Sequence, residues 1–131
     1  MRNVKLNGLS AVALGLFLAF ACAPIFAHHS MSAYDSSRSV TLKAIITNFA
    51  WTNPHVQIQF EVRDDNGNVV PWMAECPSPG RLSNRGWNEN TLKAGDQVTI
   101  VGNPAKDGAK EMRLEAVTLA DGQQITAYYR R

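Results

Sequence analysis

A chain of 131 residues, 45% of them hydrophobic and 18% charged, has room for one ordinary domain and not two. Its formal charge of +2 arises in the first 27 residues, where Arg2 and Lys5 have no acidic counterpart; beyond them eleven basic residues balance eleven acidic ones. A neutral domain lacks the cationic excess of a nucleic-acid binder, which excludes that class of partner.

Residues 1–27 read as a secretory signal peptide: the positive pair Arg2 and Lys5, an apolar run over 9–21, then small residues. The run is short of the ~20 residues a membrane-spanning helix needs, so no stable span is expected after processing. Ala21-Cys22-Ala23 has a small-x-small form, but Pro24 follows it. Ile25-Phe26-Ala27 is the better cleavage site, and a cut after Ala27 makes His28 the new N-terminus. A lipoprotein attached through Cys22 is disfavoured by the bulky Phe20 two places before it. The expected location is periplasmic or secreted. Only Cys76 remains in the mature part, so no internal disulfide can form although the compartment would permit one.

Residues 28–38 are polar, without periodicity, and form an N-terminal arm; residues 39–131 form the domain. Alternation of Val40, Leu42, Ala44 and Ile46 with their neighbours predicts a strand running to about Ala50, broken by Trp51-Thr52-Asn53-Pro54. The clearest strand follows over 55–63, with Val56, Ile58, Phe60 and Val62 on one face. Asp64-Asp65-Asn66-Gly67-Asn68 carries hairpin chemistry, and 69–76 returns as its partner, with Pro71 marking an edge or a bulge. Pro77-Ser78-Pro79-Gly80 opens a segment with one or two helical turns through Leu82. Strands are then expected over 97–101 and around Met112 to Leu119, separated by a loop over 103–110. After the Asp121-Gly122 turn a short last strand covers 124–128. The fold class is all-β: a small OB-like antiparallel five-stranded barrel with a short helix between strands 3 and 4, and a tail strand.

His28-His29-Ser30, Trp51-Thr52-Asn53-Pro54-His55, Arg85-Gly86-Trp87 and the stretch from Leu92-Lys93-Ala94-Gly95-Asp96 through Gly102 to Ala105-Lys106-Asp107-Gly108 together resemble a group of exported bacterial proteins classed as a domain of unknown function. The resemblance covers 28–131 and implies export and a small β-barrel; it carries over no catalytic residue.

The mature chain has three histidines, His28, His29 and His55, and two of them begin it. A free α-amine beside imidazoles chelates Cu(II), whose tetragonal geometry suits nitrogen donors. His28 supplies amine and ring, His55 a third donor, and His29 a further one. Met31, Met73 and Cys76 are soft donors suited to Cu(I). The competing reading is a tolerated polar start, with His55 satisfying a backbone carbonyl. Trp51, Trp72 and Trp87 either cap the core or, at Trp51 and Trp87, form a ligand surface. Glu75, if it faced the interior, would need Arg81 or Arg85 as partner. No nucleophile elbow, Cys-His arrangement, phosphate loop or cofactor fingerprint is present, so no enzyme is expected. The leading expectation is an exported, non-catalytic binding protein for copper or another transition metal. The alternative is an interaction module for an envelope protein, peptide or glycan.

Overall fold

The computed structural model describes residues 31–128. The proposed leader, His28 and His29 lie outside the described residues. Six strands, β1 (Val40–Ala50), β2 (Gln57–Arg63), β3 (Val69–Glu75), β4 (Gln97–Pro104), β5 (Glu111–Thr118) and β6 (Gln124–Thr126), form one sheet in the order β3-β2-β1-β4-β5-β6. A short parallel pairing of β3 with β5, Met73 to Glu111 through Glu75 to Arg113, closes the first five into a barrel. One helix, α1 (Pro79–Ser83), lies between β3 and β4. This is the expected all-β, OB-like barrel, with β6 added as a hairpin beside β5.

The long β1 explains how so small a sheet closes. Its first half pairs with β4, Val40 to Gly102 through Ile45 to Gln97, and its second half with β2, Ile45 to Glu61 through Ala50 to Gln57. A register shift between Ile46 and Asn48 bends it from one set of partners to the other. Alternation then sends Ala44 and Ile46 from β1, Ile58 and Phe60 from β2 and Val98 and Ile100 from β4 into one core. Pro71 stays in register opposite Glu61, and β3 meets β5 only from Met73 onward, so this proline occupies an unpaired edge rather than a bulge.

Pro79 lies in the first turn of α1, where its missing N–H costs nothing. After the helix, Gly86 takes φ of 84° and reverses the chain, so that Leu82, Trp87 and Leu92 close over the core. One expectation needs correction. The loop expected at 103–110 starts later, because β4 runs on through Asn103 to Pro104. The last part of the arm packs on the barrel. After a 3-10 turn at Met31–Ala33, Tyr34 bridges Ala105 and is buried. The Asp35 N–H donates to the Pro104 carbonyl at 2.9 Å, and the Lys106 N–H to the Ala33 carbonyl at 2.9 Å.

Candidate functional site

His55 lies between Pro54 and the first residue of the β2 ladder, and its flank is held tightly. The Val56 N–H donates to the Pro77 carbonyl at 3.2 Å, and the Cys76 N–H to the Val56 carbonyl at 2.9 Å, so pairing continues past both strands. The imidazole then folds onto the same segment, with Nδ1 3.1 Å from the Cys76 carbonyl oxygen. A carbonyl only accepts, so the proton sits on Nδ1 in the neutral ring, and Nε2 carries the lone pair. The His55 side chain is 44% exposed.

Glu75 stands beside it. Ala74 and Cys76 are wholly buried, so the strand alternation turns Glu75 to the outer face of β3, and the interior position that would have required Arg81 or Arg85 does not arise. One carboxylate oxygen lies 3.6 Å from His55 Nδ1, an ion-pair distance rather than a hydrogen bond. The other accepts from the Tyr34 hydroxyl at 3.3 Å. Burial, followed by the negative charge of Glu75, pushes the Tyr34 phenol well above its usual range. Arm, strand and imidazole therefore meet at one carboxylate.

A second polar group flanks the β3–β5 seam. Asn103, 2% exposed, donates through Nδ2 to the Arg38 carbonyl and to Glu115 Oε1, both at 2.8 Å, while its Oδ1 accepts from Arg113 at 3.1 Å. The guanidinium carbon of Arg113 lies 4.6 Å from the centre of the Tyr128 ring. Ser39 donates to the second Glu115 oxygen at 2.9 Å. These contacts fasten the end of the arm to the barrel.

The other singled-out residues are placed elsewhere. Cys76 is fully buried, and desolvation pushes its thiol far above the range in which a thiolate ligand forms. Met73 lies on the outer face of β3 opposite Gln59. Trp87 is 2% exposed and donates its indole N–H to the Thr126 carbonyl at 3.0 Å, so it is a core residue and offers no ligand surface. Trp51 packs against Phe49 with ring centres 5.8 Å apart and is partly covered. Trp72 is held between Phe60 and Lys110. An open groove of about 690 Å³ runs past Lys43, Ile45, Glu61, Arg63 and Val69, and neither His55 nor Glu75 lines it.

Among the described residues no three His, Cys, Asp or Glu side chains come close enough to hold a metal ion. His55 and Glu75 stand side by side, with the carboxylate on the Nδ1 side of the ring. Reading the histidines singled out His55 as a candidate ligand. It missed Tyr34, whose only signal was being the one large aromatic in a polar segment.

Among the described residues no helix is long and apolar enough to cross a membrane. No curated protein and no solved structure matches the chain. A family model does match, over residues 16–113, a span that takes in all the patches singled out above from His28 to Gly108. The chain belongs to that family, DUF6152, a family of unknown function.

Proposed function

We propose that the protein is an exported, non-catalytic binding protein for a transition-metal ion, copper foremost. The ion is held between a processed N-terminus at His28, with His29 beside it, and His55 on the barrel. One observation carries the reading: the arm's Tyr34 and the barrel's His55 contact the same carboxylate, at 3.3 and 3.6 Å. Tyr34 follows His28 by six residues, a span of at most ~22 Å at ~3.3–3.6 Å each. Tyr34 brings the described part of the arm to the carboxylate beside the imidazole, within that span of His28. The Nδ1 proton is engaged by a carbonyl, which leaves Nε2 as the nitrogen available to an ion. Export rests on the charged, apolar and small-residue order of 1–27.

Intact mass of the exported protein checks the first condition, with loss of residues 1–27 expected. Cu(II) titration of that protein checks the second. Binding should be tighter than to a His-His peptide, and it should weaken at least tenfold both in His55→Ala and when one alanine is inserted ahead of His28. Affinity indifferent to His55→Ala would confine the ion to the arm and remove the barrel from the site.

A further inference from the structure

We propose that Glu75 and Tyr34 are positioning residues for His55, forming a chain from the arm through one carboxylate to the imidazole that fixes which ring nitrogen faces a metal ion. The inference rests on the metal-binding reading and adds two residues to that site.

Three distances carry it. The Cys76 carbonyl, 3.1 Å from Nδ1, takes the ring proton. The Glu75 carboxylate, 3.6 Å from the same nitrogen, adds a negative charge that favours the tautomer with its proton there. The Tyr34 hydroxyl, donating to the far oxygen at 3.3 Å, holds the carboxylate in that orientation. Histidines that ligate metals commonly donate their other ring N–H to a carbonyl or carboxylate, and here both stand on the non-ligating side. Glu75 is well placed for this role because it is only 18% exposed and sits on a strand braced on both edges, by Gln57 of β2 and Arg113 of β5. Tyr34 is the only one of the three on the arm, so docking of the arm and orientation of the ring are one event.

The test begins without metal. With three histidines in the mature chain, nitrogen-15 NMR of the exported protein at about pH 8, where imidazoles are mostly neutral, resolves the His55 tautomer, and His55→Gln assigns its signals. The wild type should show mainly the Nδ1–H form. Glu75→Gln should raise the Nε2–H form several-fold, and Tyr34→Phe, which keeps the buried ring, should do so to a lesser degree. Cu(II) affinity should then fall roughly 10–100-fold in Glu75→Gln. Equal tautomer populations in all three proteins, or unchanged Cu(II) affinity in Glu75→Gln, overturns the inference while leaving the metal site standing. A tautomer shift with no Cu(II) bound by any form, the wild type included, sustains the Tyr34–Glu75–His55 chain of contacts and sinks the metal site instead.

Discussion

Gly102 shows how much one missing side chain can decide. It sits at the register shift where β4 crosses β5, and a Cβ built there would lie 2.5 Å from the Arg113 carbonyl oxygen and 2.7 Å from the Met112 sulfur. A thioether can swing aside, but a strand carbonyl cannot without loosening the ladder. Gly102→Ala should therefore lower stability by ~1–3 kcal/mol, read as a shifted urea midpoint. Gly80 provides the contrast: it lies in α1 with open space around it, so Gly80→Ala should be neutral or stabilise by up to ~1 kcal/mol. If both variants lose stability equally, crowding at Gly102 is not the cause. A glycine within a strand pattern announces a close approach, yet the sequence does not say which backbone comes close. The tryptophans were legible to the same degree. Trp87 reads as a core cap before a ligand surface, and its burial, with the indole N–H donated to the Thr126 carbonyl, places it in the core.

Among the elements, the strands with strict alternation were legible and the docked arm was not. Residues 57–63 alternate buried and exposed side chains along their length, which is the pattern of a half-buried strand. Residues 33–35 pair over too short a span to generate any period, and a single tyrosine supplies the apolar anchor. The end of β4 was missed for a related reason. Gly102-Asn103-Pro104 carries turn residues, but Pro104 needs only its carbonyl, which the Asp35 N–H meets, and the Asn103 side chain is satisfied on three sides. Asn103→Ala should cost ~1–3 kcal/mol, because the Arg38 carbonyl and the Glu115 carboxylate lose a donor supplied by a buried side chain. Hydrogen exchange should locate the damage, with protection of the Asp35 amide falling while that of Ile58 and Phe60 in β2 persists. Uniform loss across the barrel would mean that Asn103 supports the core rather than the arm.

At the scale of the whole molecule, barrel closure depends on a seam that no local pattern announces: three residues of β3 running parallel to three of β5. Strand count and the helix position pointed to an OB-like barrel, whereas the arm lying beside that seam came only from the fold. The consequence is a response to alkali. Burial pushes the Tyr34 and Tyr128 phenols upward, and at Tyr34 the charges of Glu75 and Glu111 add to it. In the unfolded chain a phenol titrates near 10, so below that pH both states keep the proton and the full stabilisation is present. Above about pH 10 the unfolded chain releases protons that the folded one retains, and stability falls as pH rises, by at most about 1.4 kcal/mol per pH unit for each phenol. Urea midpoints measured from pH 8 to 11 should begin to fall near 9, where the unfolded chain releases the Cys76 proton, and should steepen above 10 in the wild type but less so in Tyr34→Phe, which lacks one of the two phenol titrations. Identical slopes would show that the Tyr34 hydroxyl ionises as freely in the folded protein as in the unfolded chain, and that the arm is not sealed against the barrel.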